Sequence, residues 1–210
     1  MKKYISFFLN AFIAGIFLSV GCTVNLSSDS RLAGAFLFSL GLFAIITFKL
    51  SLFTGKAGYI VSNPPVYILE VLVTFLGNAA GALCSGLALG LSKAGPQLYE
   101  KSAEVFSKKA GDSFLSIFVL ALFCGILMYT AVEGNRIHSE KGNFTGALFI
   151  TVMPVAVFIT AGFNHSVADT AYFFLGGAKS FSLYIKYIVP AFFGNALGCC
   201  VIPLIKKRVC

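Results

Sequence analysis

Six long apolar stretches follow one another along this chain, at about residues 4–25, 32–48, 66–91, 113–132, 143–161 and 183–205. Each approaches the ~20 mostly apolar residues that an α-helix needs to cross the hydrocarbon core of a bilayer. With 58% hydrophobic and 11% charged residues among 210, little is left over for a water-soluble domain. The runs are continuous, without the polar alternation of a porin strand, so helices are expected and a barrel is not. The chain therefore reads as an all-α membrane protein with six transmembrane helices, a single domain over residues 1–210. Its first stretch is basic-led like a signal peptide but lacks a small-residue cleavage site, and is read as the first membrane helix.

A formal charge of +8 would suggest a nucleic-acid partner in a soluble protein. Here Lys2, Lys3, Lys206, Lys207 and Arg208 flank membrane spans and fit anionic headgroups, so the expected partner is the lipid bilayer. Six cysteines, Cys22, Cys84, Cys124, Cys199, Cys200 and Cys210, fall within or at the ends of apolar spans. They show no CxxC and no histidine at ligand spacing, and read as small packing residues; no disulfide frame, metal or cofactor is expected. Nor is there a nucleophile–base set or phosphate loop, so no enzyme is expected. Six spans put both termini on one face, and the basic tails favour the cytoplasm, which predicts a multi-pass protein of the cell inner (plasma) membrane. The connector 92–112, rich in lysine and carboxylates, reads as a solvated loop with room for a short helix; Glu133, Gly134, Asn135, Arg136 reads as a polar turn.

Two of the six stretches are interrupted. The second runs into Lys49 and then Leu52, Phe53, Thr54, Gly55, Lys56, Ala57, Gly58, and the fifth into Gly162, Phe163, Asn164, His165, Ser166, Val167, Ala168, Asp169. Irregular backbone at membrane depth is tolerated only where protein or a water-lined cavity satisfies it. Ionisable groups at that depth are functional candidates, which singles out His165 and Asp169.

The third and sixth stretches share a pattern, Phe75, Leu76, Gly77, Asn78, Ala79, Ala80, Gly81 against Phe192, Phe193, Gly194, Asn195, Ala196, Leu197, Gly198, offset by 194 minus 77, or 117. Gly34, Ala35, Phe36 and Gly146, Ala147, Leu148 open the two interrupted stretches in the same way. The chain thus divides into a repeat over about 1–91, a connector over about 92–112 and a second repeat over about 113–210. Three crossings per copy invert the second copy, so the two breaks are expected to meet near the midplane, where small-solute sites form from loop backbone and half-helix ends.

Leu52, Phe53, Thr54, Gly55 and Gly162, Phe163, Asn164, His165, Ser166 resemble the two loop motifs of the formate/nitrite transporter family, in order and at the ends of the second and fifth stretches. The resemblance implies an aquaporin-like protomer of two inverted three-helix repeats, a homopentamer with one pore per protomer, and passage of small monovalent anions or their protonated acids. It implies that Thr54 and His165 meet at the pore centre, with Asn164, Asp169 and Lys56 beside them, and that Leu52, Phe53, Phe38, Leu42 and Phe158 form hydrophobic constrictions. Taken by themselves, Phe38, Leu42 and Phe158 read as ordinary helix packing. The chain departs from the family at several points. Asn164 stands where Glu is usual before the histidine, Asp169 where Asn is usual four places after it, and Lys56 where Asn usually follows Thr-Gly. Tyr129 follows Gly125, Ile126, Leu127, Met128 where an Asn is usual, and would take over its hydrogen bond. The family's basic residue ahead of the fourth helix has Lys108 or Lys109 as its nearest match.

The expected function is a channel or proton-linked transporter for small weak-acid anions: formate, nitrite, hydrosulfide or a short carboxylate. An anion entering an apolar constriction loses hydration at great cost, which favours its protonation and passage as the neutral acid. His165 could donate a hydrogen bond or relay the proton, or simply tie the broken loop to Thr54. Lys56 and Asp169 read as an ion pair across the two loops. A channel for a small neutral or cationic solute, and a scaffold that conducts nothing, are the other readings.

Overall fold

The computed structural model describes residues 2–209; Met1, Cys210 and the side chain of Lys2 lie outside it, and with them the packing role expected of Cys210 and the headgroup role of Lys2. Among the described residues the chain folds into nine α-helices and one 3₁₀ turn: α1 Lys2–Ser27, α2 Arg31–Thr47, α3 Phe53–Ala57, the 3₁₀ turn Gly58–Ser62, α4 Tyr67–Gly90, α5 Gly95–Ala110, α6 Phe114–Glu140, α7 Phe144–Ala161, α8 Ser166–Leu175 and α9 Phe181–Val209. Five of these, α1, α4, α6, α7 and α9, are long and apolar enough to cross a membrane; α2 is equally apolar but has 17 residues. Large apolar side chains such as Leu76, Leu87, Phe149 and Phe193 point outward, which suits lipid as the surrounding solvent.

Side-chain oxygens start the helices. Ser30 accepts from the Ala33 amide at the head of α2, Ser113 from Ser116 at α6, and Asn143 from Gly146 at α7. Each satisfies an amide that the first turn leaves without an intrahelical partner.

Helices pack in two sets. α1 lies against α2 and α4, α6 lies against α7 and α9, and α2 meets α7 between them. The two tightest crossings show why glycine stands there. A Cβ on Gly81 of α4 would run into the Phe12 carbonyl of α1, and one on Gly198 of α9 into the Leu122 carbonyl of α6. Small residues at such crossings let backbones approach, and packing there replaces the hydrophobic drive that lipid cannot supply.

Two expectations need correction. The connector after α4 is mostly helix, not solvated loop: α5 buries Leu98, Ser102 and Phe106 at four-residue spacing against the rest of the molecule and turns Glu100, Glu104 and Lys108 outward. The polar residues at 133–136 do not form a turn. They continue α6 to Glu140, because Arg136 pairs with Glu133 at 2.6 Å and with Glu140 at 2.7 Å on one helix face, and buried Asn135 donates to Thr151 of α7 at 2.9 Å. The reversal comes later, through Gly142 at φ 67°.

Candidate functional site

Both interrupted stretches break where their polar residues begin. After α2 the chain passes through Lys49 in the left-handed region, φ 52°, runs on to Leu52 and resumes as α3. After α7 it turns at Gly162, φ 74°, passes Phe163 and Asn164 and resumes as α8. Glycine takes that φ without penalty, whereas lysine does not.

Each break is held by one asparagine. Asn78 of α4 accepts from the Phe53 amide at 2.9 Å and donates to the carbonyls of Ser51 at 2.9 Å and Ala11 at 2.8 Å. Asn195 of α9 accepts from the Ser166 amide at 2.7 Å and donates to the carbonyls of Asn164 at 2.9 Å and Ala121 at 2.7 Å. A carboxamide carries the same donor and acceptor groups as a peptide, so it replaces the partners that the broken helix lost. Both asparagines are fully buried. They are the residues that the repeated Gly-Asn pattern marked without giving them a task.

The two resumed helices begin side by side, and there His165 Nε2 lies 3.2 Å from Thr54 Oγ1, both residues wholly buried. The other ring nitrogen, Nδ1, accepts from the Ala168 amide at 3.2 Å. An amide can only donate, so Nδ1 holds a lone pair and the neutral ring carries its proton on Nε2. His165 thus donates to the Thr54 oxygen, and the Thr54 hydroxyl keeps its own hydrogen to offer elsewhere. Asp169, one turn into α8, completes the cap: its Oδ2 accepts from the His165 amide at 2.8 Å and from the Tyr187 hydroxyl.

A cavity approaches this centre from each side. One, of about 260 Å³, opens at the C-terminal end of α2 and is bounded inward by Leu42 and Leu52. The other, of about 610 Å³, opens at the N-terminal end of α2 and is bounded inward by Phe158 and Asn164. Phe158 meets Phe38 edge-on at 5.6 Å and faces the His165 ring at 5.5 Å. Phe38, Leu42, Leu52 and Phe158 are all essentially buried, so apolar side chains separate the Thr54–His165 pair from either cavity.

Other expected residues lie elsewhere. Phe53 stacks on Phe192 at 4.5 Å and meets Phe75 at 5.3 Å, inside an aromatic cluster rather than on a cavity wall. Tyr129 packs beside Tyr59 and against Gly58, and makes no hydrogen bond to the His165 region. The Lys56–Asp169 ion pair does not form. Asp169 Oδ1 lies 2.9 Å from Lys109 Nζ, which also donates to the Phe163 carbonyl at 2.9 Å, so the cation comes from the end of α5. Lys56 instead points its ammonium at Phe7, 4.4 Å from the ring centroid, and Tyr67, at 5.8 Å, and lines the smaller cavity. Among the described residues, Asn164 Oδ1 and Ser166 Oγ are buried without a hydrogen-bond partner, and no group of histidines, cysteines and carboxylates is placed to hold a metal ion. Of Lys108 and Lys109 it is Lys109 that turns inward to Asp169, and Tyr187 joins it as a partner that nothing in the pattern of residues marked out.

Comparison with known proteins supplies the family and the fold. The family model described as Formate/nitrite transporter matches residues 1–206. The uncharacterized transporter YrhG of Bacillus subtilis is 26% identical over 212 residues, covering 89% of this chain and 78% of that protein. The formate channel FocA of Escherichia coli is 26% identical over 188 residues, covering 80% of this chain; the match takes in 65% of FocA, just under two thirds of its length. Among solved structures, a pentameric formate channel with formate bound superposes with a TM-score of 0.79 at 21% identity, over 99% of this chain and 97% of that one.

Proposed function

The chain belongs to the formate/nitrite transporter family, and from that premise we propose that it is a membrane channel or proton-linked transporter for small monovalent weak-acid anions of the formate, nitrite, hydrosulfide or short-carboxylate class. One observation carries the reading: a buried polar pair, His165 and Thr54, between apolar side chains, with a cavity approaching from either end of α2. The relatives named as formate channels are channels and not enzymes, which fits a chain without catalytic function.

In this proposal α2 continued by α3 makes a sixth span, and residues 1–210 form one aquaporin-like channel domain of two inverted three-helix repeats. The matched asparagine ties and the glycine crossings support the repeat. Five copies assemble in the plasma membrane with both termini in the cytoplasm, each with its own pore.

An anion drawn into a cavity by lysine meets Leu42 and Leu52 on one side or Phe38 and Phe158 on the other. Passing these strips its hydration, and a bare charge in apolar surroundings is too costly to cross quickly. A proton taken up at the constriction lets the neutral acid pass. At the centre the Nε2–H of His165 and the hydroxyl of Thr54 replace lost water, and Asn164 Oδ1 accepts from the acid's O–H. That free acceptor also supports a second reading, a neutral solute that donates hydrogen bonds. A cationic solute has less support, because the Asp169 carboxylate is already engaged by Lys109, Tyr187 and the His165 amide.

The test is uptake into proteoliposomes of formate, nitrite, hydrosulfide and acetate, with urea and ammonium as neutral and cationic comparisons, read with an internal pH dye. Acid-linked uptake of the anions, lowered at least tenfold in His165→Ala, is expected. Uptake of the anions no faster than in empty vesicles ends this reading.

A further inference from the structure

The two cavities do not carry the same charge. The smaller is lined by Lys49, Lys56 and Arg136, and by no acidic residue. The larger is lined by Arg31, Lys101, Lys108 and Lys109. Against those four cations stand four carboxylates, Asp29, Glu104, Asp112 and Asp169, so the larger cavity is balanced. Its innermost cation, Lys109, is also the one already in contact with a carboxylate, at 2.9 Å.

The cations of the smaller cavity differ in how free they are. Arg136 is spent on Glu133 and Glu140. Lys49 and Lys56 have no carboxylate within 4 Å among the described residues. Aromatic faces hold the Lys56 ammonium, which steadies a cation without cancelling its charge. Lys49 sits at φ 52° at the first helix break, a conformation that costs lysine on the order of 1 kcal/mol and that tends to persist where a site requires it.

We infer that the chain is electrostatically one-sided: its solute anion is concentrated at the Lys49–Lys56 mouth, while the opposite mouth presents no net charge, so that the concentration giving half-maximal flux differs with the side from which the anion arrives. The inference rests on the reading of the chain as an anion channel. A concave wall of one sign raises the local concentration of counter-ions by about tenfold or more, and this gain is screened as salt rises.

The experiment uses the intact protein in proteoliposomes sorted for a single orientation by an accessible C-terminal tag, with formate supplied from one side at a time at low and high ionic strength. Half-maximal flux is expected at about tenfold lower formate from one side than from the other at low salt, with the difference lost at high salt. Lys49→Gln with Lys56→Gln should abolish the difference by weakening half-saturation on that side. Lys49→Arg with Lys56→Arg should keep it. Asp29→Asn with Glu104→Gln, two exposed rim changes, should strengthen half-saturation on the other side. Equal half-saturation from both sides in the unaltered protein, or a double glutamine variant that behaves like it, overturns the inference alone. No formate flux from either side overturns the anion-channel reading and this inference together.

Discussion

At the scale of single residues, the centre of this protein is a histidine whose hydrogen bonds are already assigned. Ala168 donates to one nitrogen and Thr54 receives from the other, so an imidazolium would push a second hydrogen against the Ala168 amide. His165 is therefore built to donate while neutral, and Thr54 passes that polarity on to whatever lies beside it. Replacing Thr54 by valine leaves a buried N–H without an acceptor, at a cost of about 1–3 kcal/mol. Formate flux through Thr54→Val is expected to fall by about tenfold, whereas Thr54→Ser should stay close to the unaltered rate; equal rates for valine and serine would remove Thr54 from the solute's path. His165 was legible in the sequence as an ionisable group between apolar runs, and Thr54 through the loop motif that resembles the family's. Lys109 was not singled out, because its partner Asp169 lies 60 positions away (169 minus 109) and nothing in a stretch of lysines and glutamates says which one turns inward.

Elements tell a similar story about which signals survive translation into structure. Helix breaks at 48–52 and 162–165 were visible as polar, glycine-bearing insertions in apolar runs. The end of α6 was not, since Glu133 and Arg136 look like turn residues until their spacing lets them pair along a helix. Asn78 and Asn195 were visible as a repeated Gly-Asn, but an amide in an apolar helix says nothing of whose backbone it will serve. Removing one should expose its role. Asn78→Ala and Asn195→Ala each leave one loop amide and one loop carbonyl unpaired in the protein interior and remove a tie to a neighbouring helix, a loss on the order of 3 kcal/mol. Both variants should melt several degrees below the unaltered protein in detergent, as followed by intrinsic tyrosine fluorescence. A melting curve unchanged in either would mean that its loop is held by other contacts.

For the molecule as a whole, the outward-facing Leu76, Leu87, Phe149 and Phe193 leave more apolar surface than a single protomer would show in water. Lipid accounts for part of that surface and neighbouring copies for the rest if the chain assembles as its structural relative does. Light scattering with the detergent contribution subtracted should then give a mass of about five times 22.4 kDa, and a mass of 22.4 kDa would rule the ring out in detergent.

The paired asparagines have a consequence for change over time. They secure both interruptions through main-chain groups, and ask nothing of the side chains at 54, 56, 164, 165 and 169. At the first break, holding the frame and reading the cargo are separate jobs done by different atoms; at the second, the side chains of His165 and Asp169 also cap α8. A lineage could therefore exchange Glu for Asn at position 164, beside the histidine, and try out new solutes without first having to reinvent the fold.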